Sequence, residues 1–130
     1  EGSGDNNWLY GNAAGNSLNG AGGNDYIEGG AGSDTMAGGL GNDTFVVTEA
    51  GDTVVELSGE GMDTVRSWIS HTLADNVENL QLQGSGSLSA TGNLLNNQML
   101  GNAADNTLIG GAGNDWLDGR LGADRLEGGT

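Results

Sequence analysis

The stretch GGAGSDTMAGGLGNDTFVV, residues 29–47, repeats one pattern every nine residues. Within it, Asp34 and Asp43 are nine residues apart, as are the apolar residues Met36 and Phe45. Glycine tolerates positive φ angles, so the segment G-G-x-G-x-D predicts a tight turn. The three residues that follow the aspartate have one apolar side chain at their centre. They predict a short strand that buries this side chain.

The nine-residue register extends in both directions from this stretch. It runs without interruption from Gly2 to Val46 and resumes at Gly92. When each unit is numbered from its first glycine, position 8 is always apolar and position 6 is always Asp or Asn. The residues at position 6 are Asn7, Asn16, Asp25, Asp34, Asp43, Asn97, Asn106, Asp115 and Asp124.

The nine-residue units are themselves part of a longer sequence repeat. A shift of 90 residues aligns residues 7–40 with 97–130, and 16 of these 34 pairs are identical. We therefore predict a repeat block at residues 1–46, a degenerate strand-rich connector at 47–91 and a second, truncated block at 92–130. The chain opens in mid-pattern and stops three residues into a new unit, so we expect it to be part of a longer array.

The composition limits the possible functions. Of 130 residues, 27 are glycine and 35% are hydrophobic, so a thick globular core is not expected. Against 18 acidic residues there are three arginines and no lysine, a net charge of -15, which disfavours binding to nucleic acid or to anionic membranes. There is no cysteine for a disulfide or a thiolate metal site, and no apolar run long enough to span a membrane. The acidic excess predicts a cation as partner.

Stacked coils would bring the acidic residues together. Two units form one coil, and parallel stacking at about 4.8 Å places every second unit in one column. The predicted inner columns are Leu9, Ile27 and Phe45 on one side and Leu18, Met36 and Val54 on the other; the predicted turn columns are Asn7, Asp25 and Asp43, and Asn16, Asp34 and Asp52. Carboxylates about 5 Å apart repel by about 3 kcal/mol per pair at an effective dielectric constant of about 20. A cation between the turns is needed, and carboxylate and carbonyl ligands favour calcium over magnesium or zinc.

The units GGAGSDTMA, GGLGNDTFV and GGAGNDWLD resemble the nonapeptide of the RTX (repeats-in-toxin) calcium-binding family. The resemblance is strong over residues 20–46 and 110–127, and it weakens where Asn replaces Asp. It implies an all-β fold, a right-handed parallel β-roll (a β-solenoid) with two units per coil and calcium in the turns. It also implies a secreted bacterial protein, because the family includes toxins, proteases, lipases, epimerases and adhesins.

The resemblance also implies the calcium ligands, which are carbonyls at positions 1 and 3 of one unit, carbonyls at positions 2 and 4 of the unit on the next coil, and both aspartates. Carried over to this chain, the first set is Gly20, Gly22, Asp25, Gly39, Gly41 and Asp43. The second is Gly29, Ala31, Asp34, Thr48, Ala50 and Asp52. On the preceding coil Gly30, Gly32 and Asp34 face Asn16. In the second block Gly111, Gly113 and Asp115 face Asn97, and Gly122 and Asp124 face Asn106. The asparagine sites are expected to be weak, empty or bridged by amide hydrogen bonds.

Residues 47–91 keep the pattern only loosely. GDTVVEL continues the count, and GMDTVRSWIS repeats the D-T-V signature after a slip of two residues. The segment HTLADNVENL at residues 71–80 is the only one for which a helical turn is predicted. The outward aromatic residues Trp8, Tyr26 and Trp116 predict a cross-strand ladder that shields the sheet, with carbohydrate binding as the alternative.

An enzyme is not expected. His71 is the only histidine, and the chain has no HExxH motif, nucleophile elbow or cysteine. Two functions follow from the resemblance. One is a structural module that folds on extracellular calcium and stacks end to end into an array, adhesin or filament at the cell surface. The other is an appendage that folds on calcium and assists secretion of an exported enzyme or toxin.

Overall fold

A computed structural model describes all 130 residues and contains fourteen strands and no helix. No helix in the structure therefore has the length and apolarity needed to cross a membrane. Most strands are three or four residues long, as expected for units that alternate a turn with one buried side chain. They are β1 (Trp8–Tyr10), β2 (Ser17–Gly22), β3 (Tyr26–Glu28), β4 (Thr35–Leu40), β5 (Thr44–Val47), β6 (Thr53–Val55), β7 (Thr64–Ser67), β8 (His71–Thr72), β9 (Asn79–Leu82), β10 (Ser89–Thr91), β11 (Gln98–Leu100), β12 (Thr107–Ile109), β13 (Trp116–Asp118) and β14 (Arg125–Glu127).

The strands form three parallel sheets that wind as a solenoid of about seven coils. The odd-numbered strands make one continuous seven-stranded sheet, in the order β1-β3-β5-β7-β9-β11-β13. The opposite side is divided into a sheet β2-β4-β6 and a sheet β8-β10-β12-β14. Every strand pair is parallel, which confirms the predicted all-β solenoid with two units per coil.

The predicted inner columns are confirmed by the register of the sheets. Leu9 pairs with Ile27 and Ile27 with Phe45, while the opposite sheet aligns Leu18, Met36 and Val54. Ile27, Phe45, Met36 and Val54 belong to one apolar cluster, against which Leu9 and Leu18 pack. The cluster runs through the connector into the second block, where it includes Met99 and Leu108. One apolar side chain from each unit thus builds a thin core along the whole chain.

The coils change length in the connector. Regular coils repeat after 18 residues, as between Asp25 and Asp43, but the separation is 20 residues between Asp43 and Asp63 and 15 between Asp63 and Glu78. The two-residue slip predicted before GMDTV is therefore an insertion in one turn. The seven-stranded sheet continues across the insertion, whereas β6 and β8 on the opposite side do not pair.

The helical turn predicted at residues 71–80 is wrong. The segment contains β8 and a turn around Asn76, which has a φ of 67°. Leu73 and Val77 are buried in the core, and the backbone N–H of Leu73 donates to the carbonyl of Thr91 on the next coil. In this shorter coil the backbone makes hydrogen bonds to a neighbouring coil, so it does not form the hydrogen bonds of a helical turn.

Aromatic residues form a group on the outer face of the first coils. The rings of Trp8 and Tyr26 are 5.5 Å apart, and Tyr10 lies 6.0 Å from Tyr26. The contact between Trp8 and Tyr26 joins directly paired residues of β1 and β3, as predicted for a cross-strand ladder.

Candidate metal centre

The turns at the edges of the solenoid are of two kinds, distinguished by the residue at position 6. Positions 2 and 4 have positive φ angles, for example 88° at Gly39 and 130° at Gly41, in the turns of Asp25, Asp34, Asp43, Asp115 and Asp124, but not in the turn of Asp52. The asparagine turns have no positive φ at these positions. Glycine is favoured at positions 2 and 4 because other residues adopt this conformation at a cost, although Ala21 and Arg120 adopt it at position 2 of their turns.

Each aspartate at position 6 uses one carboxylate oxygen to join two coils. The Oδ1 atom of Asp25 accepts a hydrogen bond from the N–H of Asn7 at 2.6 Å, and Oδ1 of Asp43 accepts one from Asp25 at 2.7 Å. At the opposite edge, Oδ1 of Asp34 accepts from the N–H of Asn16 at 2.8 Å. The predicted columns of position-6 residues are therefore held in register by these hydrogen bonds.

The second oxygen of these aspartates has no protein partner. Oδ2 is buried and makes no hydrogen bond in Asp25, Asp34, Asp43 and Asp115. A buried ionised oxygen without a partner is costly, and in native proteins it is normally paired or bound to a metal. These four atoms are therefore the strongest structural indication of cation ligands.

The position-1 glycines leave space beside these oxygens. A Cβ atom built on Gly20 would overlap Oδ2 of Asp25 and would lie 2.6 Å from the carbonyl oxygen of Gly38 on the next coil. A Cβ on Gly110 would likewise overlap the Asp115 carboxylate and lie 2.5 Å from the carbonyl of Gly128. Carboxylate and carbonyl oxygens surround this space, and such a donor set fits calcium.

In the asparagine turns of the second block, both the oxygen and the nitrogen of the position-6 amide make hydrogen bonds within the protein. Oδ1 of Asn97 accepts from the N–H of Asn93, and its Nδ2 donates to Oδ1 of Asn93 and to the carbonyls of Val77 and Glu78. Asn93 in turn accepts from the N–H of Leu95. The turn of residues 101–106 has the same arrangement, built from Asn102 and Asn106. An amide has both donors and acceptors, so such a turn has no need for a cation.

The structure places the sequence-predicted ligands in stacked turns of adjacent coils. The turn with Gly20, Gly22 and Asp25 lies against the turn with Gly39, Gly41 and Asp43, as the Asp25–Asp43 hydrogen bond shows. Asn16 lies against the turn with Gly30, Gly32 and Asp34. In the second block, the N–H of Asn97 donates to Asp115, and that of Asn106 donates to Asp124; these contacts bring together Gly111, Gly113, Asp115 and Asn97, and Gly122, Asp124 and Asn106.

Asp52 differs from the other predicted ligands. Its Oδ1 accepts a long hydrogen bond of 3.3 Å from Asp34, which brings its turn with Thr48 and Ala50 against that of Gly29, Ala31 and Asp34. Its Oδ2, however, accepts from the N–H groups of Thr48 and Glu49, each at 3.2 Å. Both carboxylate oxygens of Asp52 thus have protein partners, unlike those of Asp34.

Sequence reasoning missed two carboxylates beside Asp43. The ligand atoms of Asp43, Glu56 and Asp63 all lie within 4.8 Å of one another, and all three residues are buried. Burial raises the pKa of Glu56 to about 7 and that of Asp63 to about 6, and the negative charge of Asp43 adds to both shifts; burial also raises the pKa of Asp43. The available signal was Glu56 itself, which stands at position 1 where Gly38 and Gly20 stand in the preceding coils.

The single histidine lies on β8, in the four-stranded sheet. His71 pairs with Ala90 in the sheet of β8 and β10, and its Nε2 atom is buried without a partner. Burial lowers its pKa, because the protonated imidazolium would lose hydration there.

Comparison with known proteins agrees with the repeat pattern and the turn geometry. The RTX calcium-binding nonapeptide repeat (4 copies) matches residues 1–27, 10–45 and 91–130, which together make up more than half of the chain. A segment of 42 residues is 50% identical to the endo-1,3-1,4-beta-glycanase ExsH of Rhizobium meliloti (strain 1021) and covers 32% of this chain and 9% of that protein. No solved structure matches the chain. The chain belongs to the family of RTX calcium-binding nonapeptide repeats, in which the β-roll is a structural module that binds calcium.

Proposed function

We propose that this chain is a structural β-roll module of a secreted bacterial repeat protein and that it folds on extracellular calcium. The observation that supports this most directly is the set of buried Oδ2 atoms in Asp25, Asp34, Asp43 and Asp115, which have no partner in the protein. Arginine does not neutralise these carboxylates, because the only ion pair of the chain joins Arg125 to Glu127. A calcium ion supplies the missing positive charge.

The ligands we assign are the carboxylates of the aspartate turns with the carbonyl oxygens of the neighbouring glycines. Among the regular turns, the principal site combines Gly20, Gly22 and Asp25 with Gly39, Gly41 and Asp43. The turn of Asp34 and the turns of Asp115 and Asp124 are secondary sites, since each faces an asparagine on the preceding coil. Asp52 contributes less, because the N–H groups of Thr48 and Glu49 already occupy its Oδ2.

Calcium would make folding of the chain depend on whether it is inside or outside the cell. Extracellular modules of this kind fill at about 0.1 to 1 mM calcium, far above cytosolic levels. Without the ion, stacked carboxylates repel each other, and the thin core has little apolar area to compensate. In this proposal the chain remains unfolded before export and folds outside the cell.

End-to-end stacking is the assembly we propose. Strands β1 and β2 at one end, and β13 and β14 at the other, each have one edge without a partner strand. Leu126 in the last coil is 47% exposed, although its equivalents in the middle coils are fully buried. Such an end is suited to accept a further parallel coil, from a continuation of the same chain or from a second copy. Electron microscopy of the purified chain with calcium should show filaments, whereas single short rods in calcium would contradict the array.

The alternative is a calcium-dependent folding and secretion appendage of an exported enzyme. The identity shared with a glycanase supports this candidate, since the matched segment is only 9% of that protein and leaves room there for other domains. The two candidates differ in the flanking sequence: many further repeats favour the array, and an adjoining catalytic domain favours the appendage.

Circular dichroism during a calcium titration tests the proposal. In chelator we expect a coil-like spectrum, and on adding calcium a cooperative gain of β signal, because each ion joins two turns on adjacent coils. An equal concentration of magnesium should not produce this gain, since magnesium requires a small octahedral site and retains its waters. A fully folded chain in chelator, or an equal response to both ions, would contradict the proposal.

A further inference from the structure

The repeat register is broken between the third and fourth coils, and the break introduces an acidic side chain. Glu56 comes directly after β6, at the position that Gly2, Gly20 and Gly38 occupy in the same column. Two inserted residues lengthen the following turn, so that Asp63 rather than residue 61 stacks on Asp43. Glu60 closes this longer turn by accepting a hydrogen bond from the N–H of Leu57.

The side chain of Glu56 is directed inward toward the turn aspartates. It is 5% exposed, and its Oε1 accepts a hydrogen bond from the N–H of Gly38 at 2.8 Å. Its Oε2 is buried and has no partner, as is Oδ2 of Asp43. Asp63 is 1% exposed and uses Oδ1 to accept from the N–H of Asp43. Two of the three carboxylates thus each keep one buried oxygen without a partner, and ligand atoms of all three lie within 4.8 Å of one another.

No basic side chain neutralises this group. Arg66 lies over the ring of Trp68, and Arg125 pairs with Glu127. Further acidic residues lie close by instead: Glu78 accepts a hydrogen bond from the N–H of Asp63, and Glu60 raises the pKa of both Glu56 and Asp63 through its charge. Three buried carboxylates without a counter-charge are stable only when protons or a metal ion reduce the negative charge.

We propose that Asp43, Glu56 and Asp63 bind one calcium ion in a three-carboxylate site that is distinct from the two-aspartate sites of the regular turns. The inference rests on the proposed function, since it assigns the tightest calcium site of a chain that folds on calcium. The all-oxygen ligand set excludes a preference for zinc or copper, which favour nitrogen and sulfur. Calcium affinity rises with the number of charged ligands, so a third carboxylate should make this site tighter than those of the regular turns.

Isothermal titration of the full chain with calcium, at mildly alkaline pH where the carboxyls are ionised, tests this site. The variant Glu56→Gln keeps the size of the side chain and the acceptor for Gly38 but removes the charge. We expect it to lose one equivalent from the tightest class of sites, or to weaken the Kd of that class at least about tenfold. The matched control is Glu28→Gln, which changes a partly exposed glutamate on the strand β3 and should leave the titration unchanged.

The outcomes separate this inference from the proposed function. If wild-type chain binds calcium and Glu56→Gln gives the same stoichiometry and Kd, the three-carboxylate site is wrong and the proposed function stands. If wild-type chain does not bind calcium, the proposed function itself fails. Should Glu56→Gln not fold even with calcium, the second variant is Glu56→Asp, which keeps the charge but shortens the side chain by one methylene group. A tightest Kd weakened at least about threefold in Glu56→Asp then supports the site, and an unchanged Kd overturns it.

Discussion

The variant Gly29→Ala should lose about 3 kcal/mol or more of its free energy of unfolding in calcium. A Cβ atom on Gly29 would overlap Oδ2 of Asp34 and would lie 2.5 Å from both Cβ and Cγ of the same residue. The aspartate cannot move aside without breaking its hydrogen bond to the N–H of Asn16. The methyl group therefore displaces the proposed calcium ligand and separates two coils. Urea unfolding of both proteins at one saturating calcium concentration measures the difference.

The control for this experiment is Gly86→Ala. Gly86 has no positive φ angle, and a Cβ built on it meets nothing within 4 Å. Replacing a glycine by alanine in open space restricts the unfolded chain, so this variant should be neutral or gain about 0.4 to 1 kcal/mol. Gly29 also lacks a positive φ, which excludes backbone strain as the cause of its loss. If Gly29→Ala unfolds at the same urea concentration as Gly86→Ala, the space beside Asp34 is not a ligand site.

Much of the fold follows from the period of the sequence. One apolar residue every nine residues fixes which side chains meet, because a coil of 18 residues places Ile27 beside Phe45 and Met36 beside Val54. The period fails where the chain changes the number of residues in a coil, and the false helical turn at residues 71–80 lies in such a coil. Leu73 and Val77 are spaced four apart, which suits a helix, but the neighbouring coils determine their backbone.

The ligands of the candidate site are harder to predict from the sequence than the fold. A ligand must be an aspartate with a carboxylate oxygen that no protein group already binds. Asp34 and Asp52 occupy the same position of the repeat, yet only Asp34 has an unpartnered Oδ2. The difference arises from the backbone N–H groups of Thr48 and Glu49, whose direction depends on the turn conformation. Glu56 was missed for a related reason: the repeat pattern predicts a glycine at this position, and the burial of a glutamate there is visible only in the structure.

The second large effect is expected at an asparagine turn. The variant Asn97→Asp is nearly isosteric, but it should cost about 3 to 5 kcal/mol in the free energy of unfolding. Asn97 is 2% exposed, and its Nδ2 donates to Oδ1 of Asn93 and to the carbonyls of Val77 and Glu78. A carboxylate at this point would face three acceptors and have no hydrogen atom to donate. Urea unfolding at saturating calcium again provides the measurement.

Calcium should not rescue Asn97→Asp. The aspartate turns with an unpartnered Oδ2 have positive φ angles at positions 2 and 4, which in our proposal direct carbonyls toward the ion; here those positions are Asn93 and Leu95, which have no positive φ. The adjacent Asn96→Asp is the control: Asn96 is exposed, and its Oδ1 only accepts a hydrogen bond from the N–H of Asn114, which a carboxylate accepts equally well. This control should stay within about 0.5 kcal/mol of wild type. If calcium restores Asn97→Asp to the stability of this control, the amide hydrogens are not what distinguishes the two kinds of turn, and an aspartate alone is enough to make a calcium site.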